Sequence, residues 1–417
     1  MSEFRNSFAE NVFRFKYAQG PGDTWAKLSE RLVEDVCGSR QGTVQTLMSD
    51  SDRRELTEHI KAMRFLPGGR YLYYAGRPYK AYNNCYLLRA EEDTREEWSN
   101  VTWRAMSCLM TGGGIGIDYS KLRPSGKALS RTGGTASGPI PLMSAINEIG
   151  RNVMQGGSRR SAIYASLNWQ HEDIHQFLSV KNWSDDIKAM KLKDFNASAP
   201  LDMTNISVNY DDASLVGGLE NNEIFKKNVR QALETAEPGF SFNFGSKQNE
   251  TLRNACTEVT SEDDSDVCNL GSINMGNIEN LEQFKSVVHL ASKFLVCGTL
   301  RADLPYDKVY KVREPATSAH VRGRADRRAG GRRSKLGGPG RLRLLHAVPI
   351  PGGKPWLRLQ RGGGTHQRHP FRWPGHLSHA GFVRPGRGGR ADVQEVTGRG
   401  VPITASGPVI RSNRIGR

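Results

Sequence analysis

The stretch "RNACTEV", Arg253 to Val259, sets one cysteine between an asparagine two residues before it and a glutamate two residues after it. Asn254, Cys256 and Glu258 thus stand at i, i+2 and i+4. That spacing puts all three side chains on one side of an extended backbone, whereas on a helix neighbours at i+2 point about 200° apart. The stretch therefore reads as extended, with an amide, a thiol and a carboxyl sharing a face. A second cysteine, Cys268, follows.

Working outward, the chain alternates helical and extended patterns. In "DTWAKLSERLVEDVCG" (23–38), Trp25, Leu28, Leu32 and Val33 fall on one helical face and Asp23 can cap the start. "NNEIFKKNVRQALETAEPG" (221–239) reads as another helix, ended by Pro238 and Gly239. The short apolar runs "YLYYAG" (71–76), "AIYASLNW" (162–169) and "DMTNISVNY" (202–210) read as strands between helices. Alternation of this kind points to an α/β architecture.

A chain of 417 residues can bury a substantial core in two or three domains, or in one large α/β barrel with an accessory region. The N-terminal "MSEFRNSFAENVFRFKYAQG" has no uninterrupted apolar run, so no secretory signal is expected. The most apolar stretch, "VVHLASKFLVCGTL", is broken by His289 and Lys293 and is too short for a bilayer. The expectation is a soluble, cytoplasmic chain with no membrane partner.

Cysteines stand at 37, 85, 108, 256, 268 and 297, with no C-x-x-C pair and no Cys/His cluster, so no metal site is expected. Taken singly, such cysteines are usually buried small hydrophobes. In a reducing compartment a disulfide among them would be catalytic or redox-sensing.

The net charge of +16 belongs to one end of the chain. Residues 315–417 hold 19 Arg, 2 Lys and 3 acidic residues, and the first 314 are close to neutral. The same tail has 20 Gly, 10 Pro and no Tyr, and it lacks sustained period 2 or 3.6. It cannot bury enough apolar surface to offset its chain entropy, so no stable fold is expected there. Two readings stay open: an Arg/Gly-rich nucleic-acid-binding tail on a degenerate nucleotide-binding scaffold, or a GC-rich gene read out of frame.

Nine segments of the first 314 residues, in order, resemble the large catalytic chain of ribonucleotide reductases, most nearly the adenosylcobalamin-dependent class II enzymes. They are "FLPGGRYLYYAG" (65–76), "NNCYLLRAEEDT" (83–94), "TGGGIGIDYSKLRPSG" (111–126), "SGPIPLM" (137–143), "QGGSRRSAIYASLNWQHEDI" (155–174), "EPGFSFNF" (237–244), "RNACTEV" (253–259), "CNLGSINM" (268–275) and "GTLRADLPYDKVYKVRE" (298–314). The resemblance implies a ten-stranded α/β barrel of two five-stranded halves around a finger loop. On that basis residues 1–60 form an N-terminal helical region and 61–314 the first half of the barrel with its finger loop. Segments resembling "GLGVMGLHEW" and "PTGT", which continue the family pattern, are absent from 315–417. That coincidence with the change of composition favours the out-of-frame reading over nucleic-acid binding, and the nucleotide sequence around codon 314 decides between them. Half a barrel exposes a strand edge and apolar faces, so the chain as written is expected to be impaired or inactive.

The resemblance also implies roles. Cys256 matches the carrier of a transient thiyl radical that abstracts the 3′-hydrogen of a ribonucleotide, Glu258 the base for the 3′-hydroxyl, and Asn254 a hydrogen-bonding partner of the sugar. Cys85 and Cys268 match the pair that supplies two electrons by closing to a disulfide, to be reopened by a dithiol such as thioredoxin. Gly68, Gly69, Asn84 and Gly114 match substrate-binding positions. Asp93, Gly157, Arg159 and Arg160 match positions that contact a nucleotide effector or relay its identity. "TGGGIGIDYS" lacks the third glycine of a dinucleotide fingerprint, and the scaffold reading is preferred. Adenosylcobalamin is the implied cofactor and a homodimer is compatible; an iron-dependent class I-like large chain is the neighbouring alternative.

Overall fold

Five strands follow one another in both sequence and space. β2 (Cys85–Arg89), β3 (Gly114–Asp118), β4 (Ile163–Asn168), β5 (Thr204–Tyr210) and β6 (Gly239–Phe242) run parallel, each hydrogen-bonded to the next. β9 (Asp266–Cys268) joins antiparallel at the β2 end, giving the order β6-β5-β4-β3-β2-β9. The computed structural model describes residues 4–38, 47–130, 132–153, 160–312 and 345–348. Contacts divide the chain into units 1–353 and 354–417, the second wholly outside the described residues.

Parallel strands need crossovers, and helices supply them. α5 (Arg95–Met110) links β2 to β3 and α6 (Pro139–Asn152) links β3 to β4. α7 (Ile174–Ser179) and α8 (Asp185–Lys193) precede β5, and α9 (Glu223–Thr235) precedes β6. Because each strand lies beside its predecessor, the order never reverses as it would in a doubly wound sheet. Strict sequential order suits a sheet that curls in one direction, although the described strands do not close into a barrel.

Side-chain alternation explains which face the helices cover. Ile115, Ile117, Ile163, Ala165, Leu167, Ile206 and Val208 join one core with Val101, Ala105, Leu109, Met143 and Ile146 of the helices. The opposite face carries Gly114, Gly116, Asp118, Tyr164, Ser166, Ser207, Asn209 and Ser241, small or polar and buried. That face is not the apolar surface expected of half a barrel.

A second core lies around α2 (Trp25–Cys37), α3 (Asp50–Lys61) and α10 (Leu281–Arg301). α1 (Ser7–Lys16) adds Phe13, and β1 (Phe65–Pro67) adds Phe65, while β10 (Gly271–Asn274) pairs antiparallel with β1. Trp25, Leu28, Leu32 and Val33 of α2 are buried, as their spacing requires. The cap is Thr24, whose hydroxyl accepts from the Lys27 amide at 3.2 Å. Asp23 was the expected cap; instead its carboxylate accepts from the Gln19 amide at 2.9 Å and pairs with Arg31 at 2.9 Å.

"YLYYAG" is helical, not extended: α4 spans Gly69–Tyr74. Its aromatic run has helical spacing as well as strand-like composition, and packing decides. Tyr71 stacks on Tyr82 (5.0 Å) and meets Phe294 (4.8 Å), while Tyr74, three residues on, donates to the Thr111 carbonyl at 2.8 Å. "AIYASLNW" and "DMTNISVNY" hold β4 and β5 as read. α9 is capped by Asn222 and ends where Ala236 turns left-handed ahead of Pro238. Within the tail, Leu345–Val348 forms β11 beside β10, a pairing that needs only backbone hydrogen bonds. Among the described residues no helix is long and apolar enough to cross a membrane.

Candidate active site

Three separate pieces of chain bring the thiols of Cys85, Cys256 and Cys268 together. Cys85 opens β2 and sits directly opposite Cys268 in the antiparallel β2–β9 register. On its other side Cys85 is level with Gly114 of β3. Cys256 arrives on a hairpin made of β7 (Leu252–Arg253) and β8 (Thr260–Ser261). The Cys85 thiol interacts with both others, and a Cβ added at Gly114 would touch both Cys85 Sγ (3.3 Å) and Ala255, the neighbour of Cys256 (2.8 Å).

The hairpin corrects the extended reading of "RNACTEV". Only Arg253 remains in a strand, and residues 254–259 form the loop between β7 and β8. The Asn254 carboxamide oxygen accepts from the Val259 amide at 3.0 Å, and the Asn254 carbonyl accepts from the Thr257 amide at 2.9 Å. Asparagine thereby offers the backbone an alternative to the ladder. Thr257 completes the turn at φ +70, a costly conformation for a β-branched residue. The amide, thiol and carboxyl consequently do not share one strand face: Asn254 is fully buried, Cys256 is exposed and Glu258 is half-buried.

Glycine in β3 makes room for this hairpin. A Cβ on Gly116 would lie 1.8 Å from the Arg253 carbonyl oxygen, and one on Gly114 would lie 2.8 Å from Ala255 Cβ. Any side chain there would push the hairpin off the sheet. "GIG" in "TGGGIGIDYS" therefore serves close approach of chain to chain, in keeping with the scaffold reading. Lower down, Thr251 donates to Asp118 at 2.6 Å and anchors the hairpin's entry.

The thiols differ in exposure. Cys85 and Cys268 are buried and Cys256 is exposed. Contact with Cys256 lowers the Cys85 pKa, but the Cys268 contact, burial and the charge of Glu258 outweigh it and keep Cys85 protonated well above the ordinary thiol range. Asn254 Nδ2 lies 3.8 Å from Cys268 Sγ. Glu258 Oε2 is buried without a partner, as are Asn84 Oδ1 and both polar atoms of the Asn83 side chain. Buried polar atoms left unsatisfied call for a catalytic, redox or ligand-binding explanation.

Asn84 lies beside Gly68, where an added Cβ would come within 3.0 Å of its carboxamide. The Gly68 amide donates to the Leu270 carbonyl at 2.8 Å, and Gly69 opens α4. Gly68, Asn84, Cys85, Gly114, Asn254 and Cys268 thus form one neighbourhood. Asp93 lies beyond the far end of β2, where its carboxylate pairs with Arg123 Nε and its carbonyl accepts from Arg123 Nη2 at 3.1 Å. Arg160 donates to Asn196 and stacks on Phe195 at 5.2 Å. Gly157 and Arg159 lie outside the described residues.

Sequence reasoning missed Asn83, Arg123 and Arg253. The doubled asparagine of "NNC" was a usable signal for Asn83. Arg123 and Arg253 act on partners 10 to 30 residues away, which no local pattern discloses. Cys37, Cys108 and Cys297 are buried, the packing role expected of them.

A family model described as "Ribonucleotide reductase, barrel domain" matches residues 83–204 and 209–317. The chain is 26% identical over 278 residues to a vitamin B12-dependent ribonucleoside-diphosphate reductase of Thermoplasma acidophilum, covering 61% of this chain and 36% of that one. It is 27% identical over 316 residues to the protein of the same name from Mycobacterium tuberculosis, covering 70% and 42%. A ribonucleoside-diphosphate reductase subunit alpha of Chlamydia muridarum is 24% identical over 263 residues, covering 52% and 25%. The chain thus spans less than half the length of each of these relatives.

Proposed function

The chain belongs to the ribonucleotide reductase barrel-domain family, and from that premise we propose that it carries the thiol centre of an enzyme reducing ribonucleoside diphosphates to 2′-deoxyribonucleotides. The observation that carries the reading is the meeting of Cys85, Cys256 and Cys268 from three distant pieces of chain. On this reading residues 61–314 form the first half of a ten-stranded barrel with its finger loop.

Each residue has a task its surroundings support. Cys256, the exposed thiol, carries the radical that removes the 3′-hydrogen. Glu258 has a buried, unpartnered oxygen that can accept the 3′-hydroxyl proton. Loss of the 2′-hydroxyl as water consumes two electrons, which leave Cys85 and Cys268 as their thiols release two protons and join. Directly opposed residues of an antiparallel pair have Cα atoms about 4.5–5.5 Å apart, within the disulfide range. A dithiol such as thioredoxin then restores the pair. Asn254 spends its carboxamide oxygen on the loop, so its contribution to the sugar falls to Nδ2; Asn84 and Asn83 offer further groups.

Adenosylcobalamin is the proposed cofactor, because two of the three relatives are named vitamin B12-dependent. The feature that fits it is the exposure of Cys256 alone among the three thiols, which would leave that sulfur open to a group held outside the sheet. Radical generation is the chemistry the cofactor supplies when bound. Every later step falls to the residues above.

Asp93 with Arg123, and Arg160 with the neighbouring Gly157 and Arg159, are proposed to meet a nucleotide effector. Trp103, Met106 and Met110 form an exposed apolar stripe on α5 that suits a second copy of the chain.

Turnover tests the reading. Ribonucleoside diphosphate, adenosylcobalamin and a dithiol are given to this chain and to a form in which a relative's C-terminal half follows Glu314. The completed form is expected to make deoxyribonucleotide and to lose that activity with Cys256→Ser, while the 417-residue chain makes little or none. A completed, folded form without Cys256-dependent turnover overturns the reading.

A further inference from the structure

Arg253 is 7% exposed, and its guanidinium reaches away from its own hairpin toward β6. Nε donates to the Ser241 hydroxyl, and Nη2 to the Phe242 carbonyl at 3.3 Å and to Asn243 Oδ1 at 3.2 Å. Nη1 turns back to the Thr257 carbonyl at 3.4 Å. None of these four acceptors is a carboxylate. A charge buried on neutral acceptors carries a desolvation cost, and burial accordingly lowers the Arg253 pKa, with Tyr164 and Glu250 opposing.

The four bonds join two things that the sheet ladder leaves unconnected. β7 touches β2 and β3, whereas β6 lies three strands away from β3. Arg253 spans that gap. Its bond to Thr257 falls on the residue at φ +70, the point in the loop where strain must be opposed by surrounding contacts. Cys256 is the residue immediately before it.

We propose that Arg253 is a positioning residue for the Cys256 thiol: its guanidinium fork fastens the strained turn to β6 and so holds Cys256 against Cys85. Lysine cannot reproduce this, because a point charge on a flexible stem does not span four acceptors in fixed directions. The proposal deepens the function proposed above and rests on it only for the reaction that Cys256 performs.

The test reads cross-linking and needs no turnover, so its failure and the failure of the reductase reading are separable. Diamide, which takes two electrons and two protons as it becomes the hydrazine, closes Cys85 to Cys256 in a Cys268→Ser background and Cys85 to Cys268 in a Cys256→Ser background. The second pair is held by the β2–β9 ladder and serves as the internal reference. Arg253→Gln is expected to slow the Cys85–Cys256 cross-link by about tenfold or more and to leave the Cys85–Cys268 rate within about twofold, with Arg253→Lys between. Equal slowing of both cross-links, or no slowing of the first, overturns the proposal. If Arg253→Gln does not fold, Arg253→Lys carries the same comparison.

Discussion

Cys85 and Cys268 stand directly opposite one another across the antiparallel β2–β9 ladder, although they are 183 positions apart in the chain. Their proximity is a property of strand register, so it persists whatever the exposed loop does. Mild oxidation should therefore close one intramolecular Cys85–Cys268 disulfide, seen as a linked peptide pair by mass spectrometry. Cys85→Ser or Cys268→Ser should abolish that species and Cys256→Ser should not. A failure of the wild-type chain to form it would remove the electron source from the proposed reaction.

The closest approach between hairpin and sheet is at Gly116, where an added Cβ would meet a backbone oxygen at 1.8 Å. Backbone cannot swing aside as a flexible side chain does, so Gly116→Ala should displace β7. A cost of about 3 kcal/mol in denaturant unfolding is expected, the upper end for overpacking. In the same variant the Cys85–Cys256 cross-link should slow. Gly22→Ala is the control for chain entropy in a different place, since an added Cβ there meets nothing within 4 Å and its backbone is not left-handed.

How much of this was legible beforehand depends on whether the deciding contact is local. α2, β4 and β5 were readable because each carries its own period and buries the face that period defines. "YLYYAG" was not, because six residues of aromatic and small side chains fit either geometry and the choice was made by Tyr82 and Phe294 from elsewhere. "RNACTEV" pointed to the right three groups and the wrong backbone: Asn254 turned its side chain onto Val259 and ended the strand at Arg253. The pairing of Cys85 with Cys268 came from family resemblance, since register between distant strands leaves no trace in either segment. Arg253 was silent in the sequence for the same reason, three of its four acceptors lying on or just after β6.

Asp202 is a buried electrostatic tie between elements outside the thiol centre. Its carboxylate pairs with Arg151 of α6 and Lys191 of α8, and accepts from Asn147 at 3.3 Å. Burial alone would raise its pKa, but the bonds from Lys191, Arg151 and Asn147 outweigh burial and lower it. A lowered folded pKa means that this stabilisation is complete above the unfolded value, about 3.9, and is lost as pH falls through the folded one. Asp202→Asn should cost about 2–3 kcal/mol at neutral pH, below the full figure for a buried pair because both cations are partly exposed. It should also flatten the acid limb of stability below about pH 4. Urea midpoints measured from pH 7 to pH 3 check both statements; an unchanged acid limb would assign it to other carboxylates.

Glu258 is the last group whose role can be separated from folding. Its Oε2 is buried and bonded to nothing among the described residues, so exchange of the carboxylate for an amide removes a proton acceptor and no hydrogen bond formed by that oxygen. In a turnover-competent chain carrying these 314 residues, Glu258→Gln should lower kcat by about 10²–10⁴-fold, the usual contribution of a positioned general base. The thermal midpoint should hold, because the buried Oε2 makes no hydrogen bond that the exchange could break. Cys85–Cys268 disulfide formation should not slow, since the ladder that holds the pair does not involve Glu258 and loss of its charge favours the Cys85 thiolate. If the variant instead unfolds, or loses the disulfide together with turnover, Glu258 is part of the scaffold and the proton of the 3′-hydroxyl must leave by another route.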